Sequence, residues 1–201
     1  MIRKIYINNL VLKLYSQLPR IKYPLDLNEV LSLLPNCKLM SYQKFADINH
    51  CSVNDVIALC QSKSGCTHYD VETNRYLILV NLAETSNYGR RRWTIAHEIG
   101  HIVCGHHILS AVDKIAENSF ARINNQDYEI EVDYFVATLL SPLPLFKAFE
   151  IQSARDIQNT FGLSAEASDI RLKEYKIWLR NHRKTAWEND IVNVVKYKTL
   201  Q

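Results

Sequence analysis

Residues 93–101 read Trp-Thr-Ile-Ala-His-Glu-Ile-Gly-His, so His97 and His101 stand four positions apart with Glu98 beside the first. On a helix such a pair lies one turn apart on one face, with Cβ atoms about 6 Å apart, and two imidazoles can grip one metal ion. Glu98 is then placed to take a proton from a water at that metal, which is the chemistry of metal-assisted hydrolysis. A chain with seven His can show this frame by accident, but its surroundings are those of a buried helix. Arg92 to Val103 contains no Pro, and Trp93, Ile95, Ala96, Ile99, Ile102 and Val103 make it densely apolar. Gly105 supplies a stop signal, and Gly100 inside the helix suggests the close approach of another backbone.

Catalytic zinc takes three protein ligands, so a third must come from elsewhere. The stretch 125–142 reads as a second core helix. Asn124 or Asn125 is a candidate cap, Val132, Phe135, Val136, Leu139 and Leu140 recur at helical spacing, and Pro142 ends it. Glu129 shares a stripe with Val132, Asp133, Val136 and Leu140, which turns two acids toward the apolar face, where a buried charge needs a partner. We assign Glu129 as the third ligand and Asp133 as an outer acceptor for a ligand imidazole N–H. Glu131 is the competing acid; it projects away from that stripe and reads as solvated. Zinc suits mixed nitrogen and oxygen donors, and manganese is compatible with the same set.

Two blocks, RRRWTIAHEIGHIVCGHH at 90–107 and EIEVDYFVATLLSP at 129–142, resemble the ImmA/IrrE metallo-endopeptidases in content, order and separation. Val136, where Ala is usual, and Ser141, where Met is common before the Pro, depart mildly from the pattern. The resemblance implies ligand roles for His97, His101 and Glu129 and a general-base role for Glu98. It further implies a protease that cuts a helix-turn-helix repressor or antitoxin, often encoded beside it, and so releases genes for mobile-element transfer or stress response. The expected fold is α+β: a helix-rich zincin-like domain with a small antiparallel sheet over 1–150, then a helix-turn-helix-like pair and basic tail over 151–201.

Composition sets the outer limits. With 201 residues and 47% apolar content, the chain can build a real core. Five Cys without a C-x-x-C pair point to reduced thiols, and no signal peptide or membrane-length apolar run is read, so the expected location is cytoplasmic. Cys104 reads as a small buried hydrophobe. His106 and His107 read as dipole partners at the helix end, and Tyr128 and Tyr134 as candidate oxyanion stabilisers.

Periodicity outlines the rest. Ile7, Leu10, Val11, Leu14 and Leu18 form a first helical stripe; a helix over 27–34, a strand over 37–42 and a helix over 53–60 capped by Ser52 follow. Cys66 to Asp70 and Tyr76 to Asn81 read as a hairpin, and Tyr76 to Val80 is a candidate exposed edge for a substrate strand. Arg90, Arg91 and Arg92 oppose the helix dipole, so they suit an acidic substrate, an acid elsewhere in the chain, or solvent.

Ser153 to Phe161, Gly162 and Ser164 onward read as helix, tight turn and capped helix, with Ile157, Phe161, Leu163, Ala167 and Ile170 packing the pair. The last 31 residues carry eight basic against three acidic residues, so a DNA-binding or repressor-sequestering regulator with a structural or silent metal site is the second reading. Glu166 and Asp169 oppose DNA, because they bring negative charge to the helix end that would meet phosphates.

Overall fold

The computed structural model describes residues 2–113, 126–181 and 185–199. It opens with α1 (Lys4–Gln17), which buries Ile7, Val11 and Leu14, and α2 (Leu27–Ser32), capped by Asp26. Next come β1 (Cys37–Ser41), α3 (Tyr42–Asn49) and α4 (Val53–Cys60). Ser52 and Asp55 form a reciprocal capping box at the start of α4, as the Ser52 signal implies. The hairpin strands are β2 (Gly65–Asp70) and β3 (Arg75–Val80). Then follow α5 (Tyr88–Val103), α6 (His106–Asp113), α7 (Gln126–Leu140) and α8 (Leu143–Ala148). The chain closes with α9 (Ala154–Phe161), α10 (Ala165–Asn181) and α11 (Ala186–Thr199). The candidate caps Asn124 and Asn125 lie outside the described residues.

The fold is α+β, helix-rich with one small sheet, but that sheet is mixed rather than wholly antiparallel. β2 pairs antiparallel with β3 through the hairpin, whereas β1 joins β3 in parallel because the chain crosses over through α3 and α4 before it returns. The order β1-β3-β2 makes β3 the central strand, so Tyr76–Val80 is not an exposed edge; the strand on that side of the sheet is β2. The sequence of β3 explains its place. Ile78 and Val80 face the main core, while Leu79 faces a smaller cluster with Met40, Tyr42, Val56, Cys60 and Cys66. A strand covered on both faces needs a continuous apolar run.

The main core reaches from Ile7 to Val195. α5 packs on α7, α7 on α1, and α1 on α11. The Trp187 indole N–H donates to the Asn8 carbonyl at 2.7 Å and the Ile21 N–H to the Lys198 carbonyl at 3.2 Å, which straps α11 to the first segment. α9 and α10 pack together around the left-handed Gly162, with Ile157, Phe161 and Leu163 buried. Ile170 does not join them; it is 50% exposed, because the buried face of α10 is set by Ser168, Arg171 and Tyr175. Arg171 crosses to the end of α7, donating from Nη2 to the Ser141 carbonyl at 2.6 Å and from Nε to Ser141 Oγ at 3.1 Å. Ser141, one of the two departures from the family pattern, is thus the receptor for a buried cation. Among the described residues no helix is long and apolar enough to cross a membrane.

Candidate metal centre

α5 begins four residues before Arg92, at Tyr88, because the Asn87 side chain accepts the Arg90 N–H at 3.1 Å and caps it. Its buried face carries Ala96, Ile99 and Gly100 against α7. Gly100 permits the contact. A Cβ there would stand 2.9 Å from Phe135 Cδ1 and 3.1 Å from Val132 Cγ1, so side chains of α7, not a backbone, approach it. This packing brings the first turn of α7 over the His pair.

The result is a convergence of three donors. His97 Nε2 lies 3.2 Å from His101 Nε2 and 3.2 Å from Glu129 Oε2, and His101 Nε2 lies 3.6 Å from Glu129 Oε1. A tetrahedral ion with bonds of about 2.0–2.1 Å holds its ligand atoms about 3.3–3.4 Å apart, so the set has the spacing of a divalent-metal site. Two imidazole nitrogens and one carboxylate oxygen are also the donor types such an ion takes. Burial pulls His97 down, but the carboxylates of Asp133, Glu129 and Glu98 outweigh it and push it up to about 9. A proton and a metal therefore compete for the same nitrogen.

The centre floors a cleft of about 440 Å³, walled by residues 61–67 on one side and by Trp93, Thr94, His97 and Glu98 on the other. Glu98 is buried at its edge, and Thr67 Oγ1 on β2 donates to Glu98 Oε2 at 2.8 Å. Gly65 lets β2 come this close: a Cβ would meet Thr94 Cγ2 at 2.9 Å and Glu98 Oε1 at 3.6 Å. The strand thus both lines the cleft and holds the acid proposed as base.

With this geometry in place, a family model described as the IrrE N-terminal-like domain, a peptidase family, matches residues 52–173. The chain belongs to the IrrE N-terminal-like family. Its function is accordingly of the metallopeptidase type, and the match runs from the cap of α4 to the middle of α10. No curated protein matches the chain.

In this IrrE-like domain the structure brings His97, His101 and Glu129 together, and Glu98 lines the same cleft. Asp133 Oδ1 stands 3.6 Å from His97 Nδ1, but Asp133 is 63% exposed; α7 turns it to the rim instead of into the apolar face. Glu131 corrects the sequence reading in the other direction. It is 4% exposed, held by Arg3 of the first segment and 3.2 Å from His106 Nε2. The Arg3 guanidinium pulls its carboxyl down to about 2, against the opposing effect of burial.

His106 and His107 are not helix-end partners of α5, since Gly105 turns the chain with φ +74° and starts α6. His106 is fully buried with its ring stacked on Tyr128 at 4.4 Å. His107 lines the cleft; burial, then His106 and His68, lower it to about 4. Tyr134 donates its hydroxyl to Asn8 Oδ1 at 3.0 Å, away from the cleft. Arg92 is buried over the Tyr88 ring at 5.5 Å, and Arg91 Nε donates to the Thr85 carbonyl, so neither is part of a solvated charge run. Burial pushes the Cys104 thiol up to about 12, consistent with an inert packing residue.

Proposed function

We propose that the chain is a zinc-dependent endopeptidase that cleaves a helix-turn-helix transcriptional repressor or antitoxin and so switches gene expression. The observation that carries the hydrolytic part of this reading is the convergence of His97, His101 and Glu129 within one ion's span, with Glu98 beside them in an open cleft; the repressor or antitoxin as substrate rests on the family resemblance. His97, His101 and Glu129 would hold the metal, which when bound polarises a peptide carbonyl and makes water a competent nucleophile near neutral pH. Glu98, fixed by the Thr67 hydroxyl, accepts the proton of the attacking water and returns it to the leaving amine.

β2 offers the substrate a place to lie. The Asn81 N–H bonds to the Ser64 carbonyl, and the register from there leaves the N–H and C=O of Thr67 directed away from β3. A substrate strand added along that side would pass in front of Glu98. All five cysteines are free thiols, which suits a reducing cytoplasm. We assign residues 1–150 to the peptidase unit and 151–201 to a helix-turn-helix-like pair and basic tail that packs on it or docks the repressor. Glu166 and Asp169 are exposed in the first turns of α10, where DNA phosphates would be repelled.

The test is incubation of the full chain with zinc and the repressor encoded beside it, read by mass spectrometry. A single internal cut, abolished by Glu98→Gln and by chelation, is expected. An intact repressor under zinc-saturated conditions, or equal cleavage by the Gln variant, overturns the proposal.

A further inference from the structure

We propose that His106, Glu131 and Arg3 form a positioning relay that fixes the tautomer and orientation of His101, and thereby sets how tightly the metal is held. The inference rests on the metal-centre reading above. His101 directs Nε2 at His97 and Glu129, so that nitrogen must keep its lone pair free for a metal. The single proton of the neutral ring then sits on Nδ1, which lies 3.2 Å from His106 Nδ1. His106 must accept there, which places its own proton on Nε2, 3.2 Å from Glu131 Oε2. Each ring has one donor and one acceptor, so this order of protons is the one that satisfies all three groups.

The relay ends on a cation. Arg3 donates from Nη2 to Glu131 Oε2 at 2.6 Å and from Nε to Oε1 at 2.9 Å, and its backbone N–H donates to Oε1 at 2.9 Å. These donors fix the buried Glu131 carboxylate with Oε2 facing His106 Nε2, where it can accept the His106 N–H. An imidazole ligand whose second nitrogen donates to a group backed by a carboxylate is both oriented and made more basic. Here a second imidazole stands between the ligand and the acid.

The two His ligands are supported unequally. The partner of His97 is Asp133, exposed and 3.6 Å away, where water competes. The partner of His101 is 0% exposed and clamped between Tyr128 and Glu131. His101 is thus the fixed anchor of the centre. Arg3 lies outside residues 52–173, so the residue that precedes α1 supports the centre of the family-matched region.

The experiment measures the zinc affinity of the full chain by competition with a chromophoric chelator, alongside the melting temperature of the metal-stripped protein. His106→Phe keeps an aromatic ring against Tyr128, though a somewhat larger one, and removes both nitrogens; it is expected to weaken zinc by about 10- to 100-fold. Arg3→Met should weaken it in the same direction by less. A merely structural ion pair would lower the melting temperature of the metal-stripped protein and leave zinc affinity unchanged to within about threefold, and that result for either variant overturns the relay. Should His106→Phe fail to fold, Arg3→Met alone decides, because its side chain is 40% exposed and its loss leaves no cavity in the core. His101→Ala is the control: if it too keeps zinc, the metal-centre reading itself fails, which is a distinct outcome from failure of the relay.

Discussion

Replacing Gly100 by Ala sets two effects of known sign against each other. An Ala inside α5 gains about 1 kcal/mol of helix propensity over Gly. Its Cβ, however, would stand 2.9 Å from Phe135 Cδ1 and 3.1 Å from Val132 Cγ1. Carbon pairs rest at about 3.5–4.0 Å, so α7 must retreat by about 0.6 Å or more, because both side chains are fully buried and have nowhere to turn. Overpacking of this kind costs about 1–3 kcal/mol, so the net loss of stability is about 0–2 kcal/mol. The metal centre is the more sensitive reporter. Glu129 rides on α7 just before Val132, and metal bonds tolerate about 0.2 Å, so the same retreat should weaken zinc by roughly tenfold or more. Urea melts of the metal-stripped variant together with chelator competition measure both. A variant that is more stable than the parent and binds zinc equally well would refute the argument that the α5–α7 contact sets the site.

Thr67→Val removes the hydroxyl that holds Glu98 and should lower kcat by about tenfold or more with little change in KM, since a hydrogen bond to a charged group is worth about 1.5–3 kcal/mol; an unchanged kcat would show that Glu98 needs no such support. Arg171→Met leaves the buried Ser141 carbonyl without its donor, while Glu174 is exposed enough to be solvated, and should destabilise the chain by about 1–3 kcal/mol in thermal or urea melts. A pH titration of stability should show the Arg3–Glu131 pair. Because the folded-state pKa of Glu131 is depressed to about 2, its contribution is complete above about pH 4.5 and is lost as pH falls toward 2. The loss amounts to up to about 3 kcal/mol, reduced by solvent screening at the exposed Arg3. Arg3→Met should flatten that acid limb, and a limb of equal size in the variant would assign it to other carboxylates.

The parts of this protein that are local in the chain could be read from the sequence. His97 and His101 are one helical turn apart wherever their helix goes, and the apolar stripe around Val132 and Val136 assigns Glu129 to a face before any contact is known. Caps at Ser52 and Ser164 are likewise signals that lie within one helical turn. What could not be read are the pairings across the chain. Arg3 and Glu131 are 128 positions apart, and helical phase around α7 alone points Glu131 away from the site and toward solvent. Only the seating of α1 against α7 makes that direction an interior one.

The sequence by itself therefore determined the chemistry on offer: two imidazoles and a carboxylate at helical spacing, an acid beside them, and enough apolar surface to hide the helices that carry them. Tertiary structure alone decided which strand borders the cleft, which acid is buried, and that His106 stands behind His101. The reason is physical. Periodicity specifies the direction of a side chain relative to its own helix or strand, whereas burial and hydrogen bonding depend on which other element arrives in that direction, and that is settled only when distant segments pack.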